Sequence, residues 1–136
     1  MNIAVLANNE KKELLLQFCI GYKDCFSGHR MLTSFSSGSK LDIAMSGKTS
    51  DFEYSGSLDL GQISTKIVYN EIDAVIFFRD PTAPFDDVGA SLVRLCDVHN
   101  VPLATNVATA TVIMNAIKNG EIKSRSGNRP YETAEL

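Results

Sequence analysis

The chain has 136 residues, of which 44% are hydrophobic and 21% charged, with a formal net charge of −3. That length fits one soluble domain with enough chain to bury a core without disulfide or metal staples. The negative balance argues against a nucleic-acid backbone or an anionic membrane as the main partner, and no apolar run approaches the roughly 18 residues of a transmembrane helix. The first seven residues carry no basic segment ahead of an apolar one, so no secretory signal is expected. Cys19, Cys25 and Cys96 are odd in number and scattered, without a CxxC pair or a histidine at ligand spacing. They are expected to be free thiols in a cytoplasmic protein, two of them on apolar helix faces, with no metal site.

Ile3-Ala4-Val5-Leu6-Ala7 is a short apolar run that predicts a buried strand. Asn9 is placed to cap the helix that follows over residues 11–20, where Leu14 with Phe18 and Leu15 with Cys19 share a face. Residues 30–35 predict a second strand, 38–45 a short helix ended by Gly47, and 52–55 a short third strand. Residues 60–70 carry Leu60, Ile63 and Ile67 at helical spacing. Residues 72–78, rich in β-branched and aromatic side chains, form the clearest strand. After a loop over 80–84, a helix starts at Asp86 or Asp87 and places Val88, Leu92, Leu95, Cys96 and His99 near one face. Residues 101–104 predict a fifth strand, and 108–119 a last helix stopped by Gly120.

Five strand–helix alternations with short connections imply an α/β fold: a single-domain, Rossmann-like, three-layer α/β/α arrangement with a five-stranded, mostly parallel sheet. The domain spans 1–120, and 121–136 is a polar C-terminal tail.

Ligands of such sheets bind beyond the carboxyl ends of the strands. The segments expected there are Asn8-Asn9, residues 34–38, Ser55-Gly56-Ser57, residues 80–85 and Thr105-Asn106. Ser34-Phe35-Ser36-Ser37-Gly38 leads into a helix, and its hydroxyls and N-terminal amides suit a phosphate. Ser55-Gly56-Ser57 has the same character, although ordinary serine–glycine turns look alike. Lys12 lies close to the first strand's end and adds positive charge, the common alternative being a solvated helix lysine. Asp80 either braces the Pro81 turn or serves as a carboxylate at the pocket rim. His29 precedes the second strand and His99 ends a helix, so neither is expected to be catalytic. Arg79 can face either side of the sheet or an oligomer neighbour.

These segments, in this order, resemble the methylglyoxal synthase family. The resemblance covers about residues 2–118 and is carried by the N-terminal strand with Lys12, by residues 69–81 (YNEIDAVIFFRDP) and by residues 95–110 (LCDVHNVPLATNVATA). It implies a methylglyoxal synthase-like fold, phosphate elimination from dihydroxyacetone phosphate, no metal or organic cofactor, and a homohexamer. The same fold also serves as an effector-binding domain in carbamoyl phosphate synthetase, so it supports binding as well as catalysis.

Residue by residue, the resemblance has gaps. The family's His-Asp after the first strand is Asn8-Asn9 here, while its lysine is kept as Lys12. Its Thr-Gly-Thr-Thr-Gly loop is Ser34-Phe35-Ser36-Ser37-Gly38. Its Ser-Gly-Pro-x-Gly-Gly-Asp loop is Ser55-Gly56-Ser57-Leu58-Asp59-Leu60, one residue shorter, so Leu60 stands where the catalytic aspartate belongs and Asp59 is one residue off. The aspartate after the fourth strand is kept as Asp80, but the following histidine is gone and Phe85 is its nearest counterpart. Thr105-Asn106 is retained, and Arg125 or Arg129 can supply the family's C-terminal arginine. Losing a base and an electrophile costs rate, each by about 10²–10⁴, whereas the phosphate side keeps its hydroxyls. Phe35 and Phe85 make the pocket more apolar and suited to stacking on a flat ring.

The resulting expectation is a binder of a phosphorylated small molecule, of the nucleotide or signalling class and able to sequester it, with lost or altered catalysis. The alternative is an active methylglyoxal synthase, a carbon–oxygen lyase, with Asp59 and Asp80 as its catalytic carboxylates. In both readings Asn8, Lys12, Ser34 to Gly38, Ser55 to Ser57, Phe85, Thr105 and Asn106 hold the ligand.

Overall fold

In a computed structural model of the chain, which describes residues 1–34, 53–84 and 87–124, β1 (Asn2–Ala7) runs through the middle of a sheet with its four inner residues buried. It pairs in parallel with β2 (Arg30–Ser34) on one side and β4 (Ala74–Phe78) on the other. β3 (Glu53–Leu58) lies outside β2 and β5 (Leu103–Ala104) outside β4, so the order is β3-β2-β1-β4-β5 and every pairing is parallel. A 3₁₀ turn (Asn9–Lys11) leads into α1 (Lys12–Gly21), followed by α2 (Lys23–Phe26), α3 (Leu60–Val68), α4 (Asp87–Val98) and α5 (Val107–Lys118). No helix among the described residues is long and apolar enough to cross a membrane.

Alternation along the strands splits the core into two layers. Ile3, Val5, Ala74, Ile76 and Phe78 pack against α1, α2 and α5 through residues such as Leu15, Phe18, Phe26 and Met114. Ala4, Leu6, Val75 and Phe77 face the other way, against Ile63 and Ile67 of α3 and Leu92 and Cys96 of α4. Both faces are covered, which is why the β1 and β4 sequences read as continuous apolar runs rather than alternating ones. Burying each large aliphatic side chain contributes about 1.5–3 kcal/mol. Phe18 stacks on Tyr22 at 4.6 Å and meets Phe78 edge-on at 5.3 Å, fastening α1 to the last residue of β4.

The three-layer fold is the one expected, with local differences. Asn9 does not cap α1: it opens the 3₁₀ turn, and neither Asn8 nor Lys11 at the cap positions makes a side-chain capping bond. Leu14 is 40% exposed although Phe18, one turn on, is buried. The first turn of α1 stands by the carboxyl edge of the sheet, where Leu14 lines a cavity instead of the core. The segment Ser55-Gly56-Ser57, expected as a loop, lies within β3. There the register against β2 shifts: Leu32 faces Ser55 but Ser34 faces Leu58, so β3 carries an extra residue. A bulge in an edge strand absorbs a turn-like composition while the flanking backbone stays paired.

α3 ends at Val68, and Asn70 is left-handed at φ 62, a conformation asparagine tolerates at helix ends. α4 ends at Val98, so His99 follows the helix and Asn100 at φ 56 turns the chain. α5 stops where Gly120 takes φ 71, as its glycine predicts. The helix expected over 38–45 lies outside the described residues.

Candidate functional site

The chain builds outward from β1 to β3, then returns to the other side of β1 with β4 and β5. The segments after β1 and β4 therefore part company at the carboxyl edge, the position where such sheets open a crevice. Asn8 bridges this crevice. Its backbone N–H donates to the Phe78 carbonyl at 3.0 Å, and its Oδ1 accepts from the Asp80 N–H at 2.8 Å. The Asn8 carbonyl in turn accepts from the Lys11 amide at 2.9 Å, closing the 3₁₀ turn.

Asp80 folds its carboxylate back on its own turn: Oδ1 accepts from the Thr82 hydroxyl at 2.7 Å and the Thr82 amide at 2.9 Å. These bonds, the hydroxyl's first, hold the Asp80 carboxyl below its ordinary value; slight burial opposes them and the charge of Lys11 assists. The bracing role expected for Asp80 is therefore the one its geometry displays. Thr82 belongs to this arrangement and was not singled out from the sequence, although an aspartate two residues before a threonine, across a proline, is a turn signature.

Asp59 sits just past β3 and caps α3. Its Oδ1 accepts from the Gln62 N–H at 2.7 Å, and its own N–H donates to Gln62 Oε1 at 2.9 Å, a reciprocal capping box. A Cβ at Gly61 would stand 3.2 Å from the same carboxylate oxygen, so glycine gives the cap its room. Asp59 and Asp80 follow strands that β2 and β1 separate in the sheet.

Both histidines of the chain lie at the amino edge of the sheet. His29 precedes β2, and its Nδ1 is 3.1 Å from the Met1 ammonium. His99 follows α4, ahead of β5. Burial first, and then the Met1 charge, push the His29 pKa below its ordinary value, with Asp73 opposing.

On the face of α1 and α5, above the carboxyl end of β4, lies a cavity of about 400 Å³. Its polar lining is Lys11, Arg79, Thr105 and Asn106; Leu14, Phe78, Pro81 and Val107 supply the apolar part. Thr105 and Asn106 are thus brought to the carboxyl edge beside Asn8 and Asp80. The Thr105 carbonyl accepts from the Arg79 amide at 3.3 Å, and Asn106 caps α5 by accepting from the Thr109 N–H at 3.0 Å. Lys12, the first residue of α1, is not among the residues lining this cavity; the neighbouring Lys11 is. Lys11 was not singled out from the sequence, where Lys12 alone was named; Lys11 closes the 3₁₀ turn and Lys12 opens α1.

Ser34 closes β2, and Ser55, Gly56 and Ser57 lie in the bulged half of β3 rather than in a loop beyond it. Phe35, Ser36, Ser37, Gly38, Phe85, Arg125 and Arg129 lie outside the described residues. Among the described residues no three His, Cys, Asp or Glu side chains group to hold a metal ion.

No protein-family model matches the chain. Among curated proteins, methylglyoxal synthase from Caldicellulosiruptor saccharolyticus is 41% identical over 127 residues, covering 92% of this chain and 90% of that protein. Methylglyoxal synthase from Oceanobacillus iheyensis is 39% identical over 128 residues, covering 92% and 91%. Among solved structures, the crystal structure of methylglyoxal synthase from Elizabethkingia anophelis matches with a TM-score of 0.74 at 25% identity, over 98% of this chain and 89% of that one. Identity at this level over nine-tenths of both sequences, joined to the structural match, places the chain in the methylglyoxal synthase family.

Proposed function

We propose that this family member binds a phosphorylated small molecule at the carboxyl edge of its sheet, within a domain spanning 1–120, and that the family's elimination chemistry is lost or altered in it. The carrying observation is the commitment of Asp59: the carboxylate nearest the place of the family's base is bonded to the Gln62 amide at 2.7 Å and starts a helix. Leu60, the residue aligned with that base, cannot take a proton. A further feature agrees. Both histidines stand at the opposite edge, leaving no imidazole to donate to a forming enediolate.

The phosphate rests on Lys12, Ser36, Ser37, Ser55 and Gly56, where hydroxyls, amides and one ammonium favour a dianion. Sequestration of a phosphorylated signal of the nucleotide class is one concrete form of this reading. Assembly as a homohexamer in the cytoplasm belongs to the same proposal; light scattering that returns a monomer at micromolar concentration removes that part.

A second reading, an active synthase, rests on the name methylglyoxal synthase carried by relatives at 34–41% identity. One assay separates the two: incubation of pure protein with dihydroxyacetone phosphate and measurement of methylglyoxal. Turnover is expected to be absent or at least about a thousandfold below a typical enzyme of the family. Turnover above about 10 s⁻¹, abolished in Asp59→Asn, establishes the synthase reading instead. Native mass spectrometry of the purified protein is expected to reveal a co-purified phosphorylated ligand, and Lys12→Met to weaken its binding by about 1–3 kcal/mol.

A further inference from the structure

The cavity between the starts of α1 and α5 has a character that a bare phosphate does not explain. Its volume, about 400 Å³, lies in the roughly 300–1,000 Å³ range that encloses a drug-sized ligand. Leu14 and Val107, two of the large hydrophobic side chains exposed among the described residues, at 40% and 38%, both face into it. Such side chains lose contact with water only when something apolar fills the space between them. The charged members of the lining are both cations, Lys11 and Arg79. The nearby carboxylate, Asp80, feels the charge of Lys11 and is itself turned onto Thr82. α5 presents its N-terminus here, and with the Thr109 amide taken by Asn106 it contributes its dipole rather than that donor.

We infer that this cavity is a second binding site, separate from the serine and Lys12 phosphate site, for an organic anion with an apolar body. The anionic group lies toward Lys11 and Arg79, and the apolar portion fills the space bounded by Leu14, Phe78 and Val107. The site is built from α1, β4 and the β5–α5 turn; it includes Thr105 and Asn106, named above among the ligand residues, but none of Lys12, Ser36, Ser37, Ser55 or Gly56, on which the phosphate is placed.

The probe is 1-anilinonaphthalene-8-sulfonate, an anionic aromatic dye that brightens when its ring leaves water. Titration into the native protein is expected to saturate at a single site per chain. Lys11→Glu and Leu14→Asp, both at solvent-accessible positions, are expected to weaken the dye by about tenfold or more with melting temperatures near wild type. Val68→Asp, an equally exposed apolar position at the far end of α3, is expected to leave it unchanged. Inorganic phosphate at millimolar concentration is expected not to displace it. Three results overturn the inference: no saturable signal, as when a second copy of the chain covers the cavity; equal affinity in Lys11→Glu, Leu14→Asp and wild type; or full displacement by phosphate. The last merges the cavity with the phosphate site and leaves the proposed function standing.

Discussion

Asn8 and Asp80 are 72 residues apart in sequence and joined by one hydrogen bond, Asn8 Oδ1 accepting from the Asp80 N–H at 2.8 Å. The bond lies beyond the last residues of β1 and β4 and continues their ladder with a side chain. It closes part of the crevice that the strand order opens, and it sets where Asp80 leaves the sheet. Asn8→Ala is expected to destabilise the protein by about 1 kcal/mol, rising toward 3 if the Asp80 amide is left dry. Thermal unfolding reads this as a drop of roughly 3 °C per kcal/mol. An unchanged melting temperature shows that water replaces the bond without loss.

The capping box at Asp59 makes a separable prediction. Asp59→Ala is expected to cost about 1 kcal/mol, and Asp59→Asn less, because the amide oxygen still accepts from Gln62. Urea denaturation at constant m-value measures both. Equal losses in the two variants indicate that the charge near the start of α3, rather than the hydrogen bond, provides the stabilisation.

The Asp80 carboxyl should rise toward its ordinary value in Thr82→Val, which removes the hydroxyl bond but keeps the amide one. Carboxyl chemical shifts followed by acid titration report this directly. Because the folded value is depressed, the stabilisation it represents is present above the ordinary aspartate value of 3.8 and is lost as the pH falls through the lower folded value. In Thr82→Val that loss is expected to be smaller and to be complete at higher pH. An Asp80 titration identical in the two proteins excludes the hydroxyl as the main cause.

His29 acts in a different window. Its folded pKa is lowered, so the neutral ring is the native form and accepts from the Met1 ammonium. The unfolded chain binds the proton more tightly. Stability associated with this group is therefore complete above about 6.5 and declines as the pH falls toward the folded value. Melting temperatures measured across this range are expected to fall with acidification in the wild type and to flatten there in His29→Asn. Parallel curves assign the dependence to other groups.

Thiol reactivity should separate the three cysteines. Burial pushes the Cys19 thiol up to about 12, and Cys96 is also buried, whereas Cys25 is half-buried. A thiolate-selective reagent at mildly alkaline pH is expected to modify Cys25 first, with Cys19 and Cys96 reacting only after denaturation. Rapid modification of Cys19 in the native protein contradicts its place on the buried face of α1.

Much of this organisation is legible along the chain. Continuous apolar runs at β1 and β4 follow from a sheet covered on both faces, and Ile63 with Ile67 marks α3 by simple periodicity. Gly120 stops α5 by accepting a left-handed conformation that other residues resist. The residue types at the carboxyl edge also indicate where a ligand belongs, because parallel strands bring their following loops to one side.

Tertiary structure decided the rest. Whether Ser55-Gly56-Ser57 is a loop or a bulged strand depends on β2 being alongside to pair with it. Asp59 carries the same carboxyl group whether it abstracts a proton or caps a helix, and only Gln62 folded back over it assigns the role. Lys11 and Lys12 are adjacent and chemically alike, yet only Lys11 meets the cavity, the one closing the 3₁₀ turn and the other opening α1. Local sequence fixes backbone preference and burial, which depend on neighbours a few residues away. The partners of a polar side chain are chosen by segments tens of residues distant, and those are known only once the strands are in order.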